Sequence, residues 1–207
     1  MSGICHIVCA GPGEVALSAD YGDFLIAVDG GFAHCLEAGL EPDLFVGDLD
    51  SLSPELVSLI RCERIELPCE KDDTDTVYAC KEGLARKYES FILHCALGGD
   101  VGHELANIQT LAFLHEREAH GILLGGSQQV HLVTPSTSPT TFDAPSGTRV
   151  SVFAFAGAAH GVTERGLQWE LENATLDPAM PLGVSNCSRD ERFEIGVRDG
   201  MLIVVIG

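Results

Sequence analysis

The sequence predicts an α/β fold in which a mostly parallel, helix-covered sheet is followed by an all-β unit. Up to about residue 125, short apolar runs alternate with helical patterns, as expected of a parallel sheet buried on both faces. From about residue 128 onward, strand patterns follow one another without helices between them. We therefore expect an α/β domain over residues 1–125 and an all-β domain over residues 126–207.

The strands of the first domain are continuous apolar runs, and helices separate them. Ser53-Pro54-Glu55 is typical of a helix start, because the serine caps free amides and proline suits the first helical position. Apolar residues then continue to Ile60. A second helix is predicted from Asp75 to Tyr88, with a stripe of Val77, Cys80, Leu84 and Tyr88. The six predicted strands are Ile4–Ala10, Phe24–Val28, Leu44–Val46, Arg64–Leu67, Phe91–Ala96 and Gly121–Leu124.

The second domain is predicted to contain five strands, the last two joined by a hairpin at Arg198-Asp199-Gly200. In one of them, Leu167, Trp169 and Leu171 alternate with polar residues, so the single tryptophan is predicted either in the core or as a flat surface for a ligand ring. The predicted strands are Gln129–Val133, Arg149–Phe155, Leu167–Leu171, Arg192–Val197 and Met201–Ile206.

Composition excludes several classes of protein. A formal net charge of −19 with only 12 Lys and Arg argues against binding to nucleic acid or to an anionic membrane. No uncharged apolar run reaches the roughly 20 residues of a membrane span, and no basic leader precedes the first apolar run. We therefore expect a soluble, cytoplasmic protein whose eight cysteines, among them Cys5, Cys9, Cys80 and Cys95, are reduced.

Carboxylates recur in the loops that follow successive strands. Asp29-Gly30-Gly31, Gly47-Asp48-Leu49-Asp50-Ser51 and Lys71-Asp72-Asp73-Thr74-Asp75 each follow a predicted strand. Ligands of parallel sheets bind at the carboxyl ends of the strands, where such loops converge. Mg²⁺ prefers one or two carboxylates together with water and phosphate oxygens. The sequence thus predicts a magnesium and phosphate site formed by Asp48, Asp50 and Asp75, near the helix that begins at Asp75.

Each of these residues also has a simpler interpretation. Aspartate and glycine are common after strands because turns and helix caps favour them. Lys71 is predicted either as a solvated lysine or as a phosphate ligand, and the spacing does not choose between them. It is the recurrence of crowded carboxylates after several strands that favours a cation site, since like charges repel unless a cation joins them.

Taken in order, these motifs resemble the thiamine pyrophosphokinase family. The resemblance covers nearly the whole chain, and in the second domain it continues through the tryptophan segment and Ser185-Asn186. The motifs that carry it are Asp29-Gly30-Gly31, Pro42-Asp43, Gly47-Asp48-Leu49-Asp50-Ser51, Lys71-Asp72-Asp73-Thr74-Asp75, Gly98-Gly99 with His103 and Asn107, Gly161-Val162-Thr163, Gly166-Leu167-Gln168-Trp169, Leu171-Glu172-Asn173 and Gly183-Val184-Ser185-Asn186.

The resemblance implies an N-terminal Rossmann-like domain that binds ATP and Mg²⁺, a C-terminal β-sandwich domain, a homodimer, and transfer of a pyrophosphoryl group from ATP to thiamine. It assigns Asp48, Asp50 and Asp75 to catalysis and Mg²⁺. Trp169, Ser185 and Asn186 are placed near thiamine at the subunit interface. The residues implied to bind ATP are Asp29, Gly30, Lys71, Asp72, Thr74, Gly98, His103 and Asn107.

One segment departs from the family pattern. Where the family usually has Gly-Gly-Arg-x-Asp-His, this chain has Gly98-Gly99-Asp100-Val101-Gly102-His103. A bidentate phosphate donor is therefore missing, and Asp100 either replaces the lost carboxylate or alters the activity. Two alternatives follow: a thiamine- or nucleotide-binding protein that has lost turnover, and a diphosphokinase for another heterocyclic alcohol such as a hydroxymethylpterin.

Overall fold

The computed structural model of the chain describes residues 3–15, 17, 20, 22–68 and 72–207. The chain has a mixed α/β fold with a large sheet and divides into two compact units, Met1–Ser127 and Gln128–Gly207. No helix within the described part of the chain is both long enough and apolar enough to cross a membrane.

The first unit contains a six-stranded parallel sheet in the order β4-β3-β2-β1-β5-β6. The residues of β1 and β3 are all buried, as continuous apolar runs predicted, whereas β4 lies at the edge and exposes its charged side chains. The six predicted strands are confirmed to within a few residues at their ends. They are β1 (Cys5–Val8), β2 (Phe24–Val28), β3 (Leu44–Gly47), β4 (Glu63–Glu66), β5 (Ser90–His94) and β6 (His120–Gly125).

Four helices accompany this sheet in the described residues: α1 (Gly31–Glu37), α2 (Pro54–Val57), α3 (Asp75–Ala85) and α4 (Val101–His115). The predicted start of α2 is confirmed, because Ser53 Oγ accepts a hydrogen bond from Leu56 N. The helix is a single turn, so Leu59 and Ile60 of the apolar run that follows its start lie beyond its end. Ile60 is nevertheless buried, in the cluster beneath α1.

The predicted apolar stripe of α3 is only partly correct. Its buried positions are Thr76, Ala79, Cys80 and Gly83, one turn apart along one face, and they are mostly small. A Cβ atom at Gly83 would lie 2.5 Å from the Phe91 ring, so the glycine allows the helix to approach the sheet closely. The prediction looked for large apolar residues, and it therefore missed a buried helix face that is made mostly of small residues.

The second unit is antiparallel and is organised around one long strand. β9 pairs with β10, β11, β12 and β13, while β8 and β7 extend the sheet beyond β12 and β13. Buried apolar side chains from these strands form one cluster that includes Phe142, Val162, Phe193 and Leu202. The strands are β7 (Gln128–Val133), β8 (Thr140–Asp143), β9 (Arg149–Arg165), β10 (Leu171–Leu176), β11 (Gly183–Cys187), β12 (Arg192–Gly196) and β13 (Asp199–Ile206).

Two predictions for this unit are wrong. Both β12 and β13 pair with β9, Gly196 opposite Thr163 and Asp199 opposite His160, so the two strands form no hairpin. Gly200 is needed for close approach, since a Cβ atom there would lie 2.7 Å from Ala158 O. The predicted strand Leu167–Leu171 is an irregular segment, in which Leu167 makes one isolated bridge to Ser188 before β10 begins at Leu171.

The seven described cysteines are all free thiols, as predicted for Cys5, Cys9, Cys80 and Cys95, and these four are buried. Burial raises the pKa of the Cys5 and Cys9 thiols to about 12. These side chains therefore behave as small apolar groups and not as thiolates.

Candidate functional site

One cavity of the first unit lies at the point where the strand order reverses. From β1 the chain adds β2, β3 and β4 on one side of the sheet and then returns to place β5 on the other side of β1. The loops leaving β1 and β5 therefore diverge and open a crevice at the carboxyl ends of the strands. A cavity of about 230 Å³ occupies this crevice, with Ala10, Gly11, Cys95 and Ala96 in its wall. Topology alone thus makes this the place for a ligand.

Asp29 links this cavity to the neighbouring carboxylate loop. It follows β2 directly, lines the cavity and has a positive φ of 48°. Its Oδ1 atom accepts a hydrogen bond of 3.3 Å from Asp48 N, and Asp48 Oδ1 in turn accepts one of 3.2 Å from Asp50 N. A Cβ atom at Gly47 would lie 1.9 Å from Asp29 Oδ1, so only glycine permits this approach. The loops after β2 and β3 are therefore held together, although Asp48 and Asp50 lie outside the cavity wall.

The amino end of α3 supplies the next wall of the cavity. Thr74 is the N-cap of the helix, and its Oγ1 accepts a hydrogen bond from Val77 N. Asp75, in the first turn, lines the cavity beside Thr74 and Thr76. Asp72 is exposed on the preceding bend. Lys71, predicted as a phosphate ligand or a solvated lysine, lies outside the described residues.

The amino end of α4 explains the departure from the family pattern. Asp100 is the N-cap of α4, and its Oδ1 accepts hydrogen bonds from Gly102 N at 2.9 Å and from His103 N at 3.2 Å. A Cβ atom at Gly102 would lie 3.0 Å from the same oxygen. Asp100 stands where the family has arginine, and Gly102 stands where it has aspartate. These two differences belong together, because both residues serve this cap.

Two of the remaining predicted residues of this segment, Gly98 and Asn107, have clear structural roles. Glu104 Oε1 accepts a hydrogen bond of 2.5 Å from Gly98 N, which has a positive φ of 85°. Asn107 is buried, and its Nδ2 donates to Ala96 O at 2.9 Å, tying α4 to the end of β5. His103 lines the cavity and is exposed. Gly30 caps α1, and it is a neighbour of the cavity wall rather than part of it.

The charge of the cavity is strongly negative. Its described lining contains the carboxylates of Asp29, Asp75, Asp100 and Glu104, and His103 is the basic side chain among them. A polyphosphate entering such a cavity would be repelled unless a cation accompanied it. Among the described residues, no three His, Cys, Asp or Glu side chains form a group that could hold a metal ion. Hard oxygen donors on adjoining loops nevertheless suit Mg²⁺, which takes most of its ligands from water and phosphate.

The residues of the second unit that were predicted to lie near thiamine are grouped around one exposed tryptophan. Trp169 is 60% exposed, so the interpretation of this side chain as core is wrong. Ser185 is exposed with a positive φ of 59°, and its amide donates to Ser151 Oγ. Asn186, by contrast, is only 5% exposed and bonds to the backbone of Trp169 on both sides. The structure thus presents Trp169 and Ser185 to solvent and places Asn186 beneath them.

Sequence reasoning missed Glu164, which is 1% exposed in β9 and bonds to Asn186. The signal was present in Val162-Thr163-Glu164-Arg165, where the alternation of a strand puts Glu164 on the buried face of Val162. It was missed because the predicted strand ended at Phe155, whereas β9 continues to Arg165.

The chain is a two-unit α/β protein. Its first unit is a parallel α/β unit with a carboxylate-lined cavity at the switch point, and its second unit is antiparallel β. Two family models match its halves: the thiamin pyrophosphokinase catalytic domain over residues 17–123, and the thiamin pyrophosphokinase vitamin B1 binding domain over residues 138–202. The chain therefore belongs to the thiamin pyrophosphokinase family, which confirms the resemblance seen in its motifs.

Known proteins similar to this chain carry the same family name. Thiamine pyrophosphokinase 1 of Oryza sativa subsp. japonica is 25% identical over 166 residues, which are 75% of this chain and 62% of the rice protein. Thiamine pyrophosphokinase of Bacillus subtilis is 25% identical over 87% of this chain and 85% of its own length. The chain thus spans less than two thirds of the rice relative.

The fold is shared with a solved structure. The crystal structure of thiamine pyrophosphokinase from Bacillus subtilis superposes with a TM-score of 0.87, covering 99% of this chain and 98% of that one at 22% identity. At this identity the similarity establishes the fold, and the chemistry has to be argued from the residues of this chain.

Proposed function

We propose that the protein transfers a pyrophosphoryl group from ATP to the hydroxyl of thiamine, giving thiamine diphosphate and AMP. The observation that carries the proposal is the carboxylate-lined cavity at the switch point, within the segment matched by the catalytic-domain model. The thiamine oxygen bonds to the β-phosphorus, the bond from that phosphorus to the α-phosphate oxygen breaks, and the hydroxyl proton is released. Phosphoryl transfer of this kind depends on positioning and on charge neutralisation, so it requires no protein nucleophile.

In this proposal the Rossmann-like first unit binds ATP in the cavity. Asp29, Thr74, His103 and Asn107 are supported as nucleotide-site residues because they line it together. Gly30 and Gly98 shape the adjoining loops, and Asp72 and Lys71 precede the helix at which the phosphates are placed.

Mg²⁺ is the proposed cofactor, held by Asp48, Asp50 and Asp75 together with phosphate oxygens. The hydrogen bonds that join the loops of Asp29, Asp48 and Asp50 support this arrangement. The bound ion would neutralise charge on the phosphates. The carboxylates of this chain would hold the ion and orient the triphosphate, and the acidic cavity makes ATP binding depend on that ion.

Thiamine is the proposed acceptor, and the β-sandwich second unit is proposed to bind it through Trp169, Ser185 and Asn186. Trp169 lies in the segment matched by the vitamin B1 binding-domain model, and its exposed ring suits a cationic thiazolium. Because Asn186 is buried, its proposed part is to hold the tryptophan segment, while Trp169 and Ser185 make the contact.

Replacing Trp169 by leucine is expected to raise the KM for thiamine about tenfold with little change in kcat, because stacking and cation–π contact contribute mainly to binding. Steady-state kinetics with varied thiamine at saturating ATP would measure the effect. The control is Gln168→Ala, a change of the adjacent exposed residue, which should keep the KM of the unchanged protein. An unchanged KM for Trp169→Leu would remove Trp169 from the thiamine site.

A homodimer in the cytoplasm is proposed as the working state. Phe153, Met180 and Leu182 are exposed and line one surface groove of the second unit, and Val184 on β11 is exposed as well. Exposed large apolar side chains of this kind favour a protein interface. The free thiols of the described cysteines support a reducing compartment.

The proposal is tested by supplying the purified protein with ATP and Mg²⁺ and comparing acceptors. AMP should appear with thiamine, and not with a hydroxymethylpterin or without acceptor. Thiamine-dependent AMP formation that Asp48→Asn abolishes would support the proposal. Faster turnover with the pterin would show that the substrate is another heterocyclic alcohol and not thiamine. No acceptor-dependent AMP at all would refute it.

A binding protein without turnover is the second candidate, and the Asp100 cap favours it. Asp100 and Glu104 occupy the amides of Gly98, Gly102 and His103, which are thereby withdrawn from phosphate oxygens. This candidate predicts calorimetric binding of thiamine or ATP without AMP, so the acceptor assay combined with calorimetry separates the two.

A further inference from the structure

Glu164 is a buried carboxyl group that the proposed reaction does not use. It is 1% exposed, on the same face of β9 as Val162 in the apolar cluster of the second unit. Its Oε2 accepts a hydrogen bond of 3.0 Å from Asn186 Nδ2. Oε1 is also buried and has no hydrogen-bond partner within the described structure. Burying a carboxyl group when one of its two oxygens has no hydrogen-bond partner is costly in free energy. An apolar residue would fill the same position without that penalty.

Asn186 connects Glu164 to the exposed tryptophan segment. Its Oδ1 accepts from Trp169 N at 3.1 Å and from Cys187 N at 3.0 Å, and its Nδ2 donates to Trp169 O at 2.7 Å as well as to Glu164. These four bonds use both acceptor sites and both hydrogens of the amide. They also fix which atom is oxygen, since Trp169 N can only donate and Trp169 O can only accept. The amide therefore pairs with both the backbone N–H and the backbone carbonyl of Trp169, as the backbone of a neighbouring strand would.

Glu164 is the side chain that helps to hold this amide in its orientation, beside the backbone groups of Trp169 and Cys187. Rotation of the Asn186 side chain would break both bonds to Trp169, and Glu164 Oε2 is the group that holds the second hydrogen of Nδ2 from the interior. The segment around Trp169 has little regular structure of its own, with one bridge at Leu167. A 60% exposed ring on an irregular segment keeps one position only if its backbone is held from below.

We propose that Glu164 is a positioning residue for the thiamine surface: acting through Asn186, it fixes the backbone of Trp169 and so holds the ring ready for the acceptor. This inference rests on the proposed function, with Trp169 as the thiamine contact. Glu164 touches no substrate. Its effect is a preorganised tryptophan, which improves affinity because less motion is lost on binding.

The chemistry of the buried carboxyl agrees with this role. Burial raises the pKa of Glu164 to about 7, and the hydrogen bond from Asn186 opposes that rise. Either form of the carboxyl presents Oε2 as an acceptor to the amide. Glutamine retains an acceptor oxygen of the same reach, whereas leucine retains only the volume.

Two variants separate positioning from packing: Glu164→Leu removes the acceptor, and Glu164→Gln keeps it. The matched control is Glu172→Leu, an exposed glutamate on the adjoining β10. Since Trp169 is the single tryptophan, its fluorescence anisotropy decay reports on this segment alone, without any ligand. Thiamine affinity by fluorescence quenching, and the division between KM and kcat, are measured on the same proteins.

We expect Glu164→Leu to increase the rapid local motion of Trp169 and to weaken thiamine binding about tenfold, in KM and not in kcat. Glu164→Gln and Glu172→Leu should match the unchanged protein. If Glu164→Leu leaves both anisotropy and affinity unchanged, the inference is overturned. If circular dichroism finds it unfolded, Asn186→Leu takes its place, and unchanged anisotropy there overturns the inference equally.

Failure of this inference and failure of the proposed function give different results. If the unchanged protein does not bind thiamine, the function fails, while the anisotropy comparison in the ligand-free protein still decides whether Glu164 positions Trp169. If thiamine binds and the variants differ only in folding stability, the function stands and Glu164 is overturned as a positioning residue.

Discussion

Asp75→Asn is expected to lower thiamine-dependent AMP formation about 100-fold or more, through kcat, because it removes a charge that, in the proposed function, holds the cation and the transferring phosphates. Asp75 is in the first turn of α3 and lines the cavity with Asp29. Asparagine has nearly the same shape and is tolerated at the start of a helix, so the fold should be retained. The measurement is steady-state AMP formation over a range of Mg²⁺ concentrations.

The control for this prediction is Asp73→Asn, two residues earlier. Asp73 forms an ion pair of 2.6 Å with Lys81, and both side chains are substantially exposed. Such surface pairs contribute little, so this variant should keep nearly full activity. Equal activity of the Asp75 and Asp73 variants at all Mg²⁺ concentrations would show that Asp75 has no part in catalysis.

Acidification from about pH 7 to about pH 4.5 is expected to reduce the free energy of unfolding by about 2–3 kcal/mol through His94 alone. His94 is 5% exposed, and its Nε2 lies 3.0 Å from Nδ1 of His6, which is 4% exposed. Burial, together with the charge of His6, lowers the pKa of His94 to about 4. Burial lowers the pKa of His6 as well, although Asp23, 3.5 Å away, opposes this.

The sign of the effect follows from where each state takes up protons. An unfolded histidine has a pKa of about 6.5, so below that pH the unfolded chain gains a proton that native His94 accepts only near pH 4. The stabilisation is therefore complete above about pH 6.5 and is lost progressively as the pH falls toward 4. Backbone hydrogen bonds from Ile4 and Asp20 lower the pKa of Asp23, so that carboxylate stays charged over this range.

Urea unfolding at the two pH values would measure the loss, with His94→Gln and His120→Gln compared with the unchanged protein. Glutamine keeps a hydrogen-bonding group beside His6 but does not titrate. On acidification, the free energy of unfolding of the His94 variant should fall by about 2 kcal/mol less than that of the other two proteins. His120 is exposed, so its variant should behave like the unchanged protein. The same pH dependence in all three proteins would contradict the assignment.

The parallel half of the fold was predictable because its signals are local and strong. Buried strands such as Phe24–Val28 are continuous apolar runs, and the helix that begins after Ser53 is marked by a capping serine followed by proline. The antiparallel half was less predictable, since β9 is 17 residues long and carries alanine, glycine and charged residues after Phe155. Which strand pairs with which, including the separation of β12 and β13 by β9, depends on distant contacts that no local pattern encodes.

The candidate site was predictable as a set of loops and not as a set of contacts. The order of strands brings Asp29 and Asp75 to one cavity, as expected for loops that follow parallel strands, and His103 and Asn107, which the family resemblance implied, line the same cavity. The roles of Asp100 and Asn186 could not be obtained this way, because one caps its own helix and the other bonds to a segment 17 residues away. Their residue types allow both binding and structural roles, and only hydrogen-bond partners distinguish them.

The most direct test of the proposed function follows the phosphorus atoms themselves. ATP labelled at the β-phosphate is incubated with the protein, Mg²⁺ and thiamine, and the products are separated. One-step pyrophosphoryl transfer predicts that the β-label moves to thiamine diphosphate in amounts equal to the AMP formed. Label that remains in ADP, or that leaves ATP equally without thiamine, would contradict it.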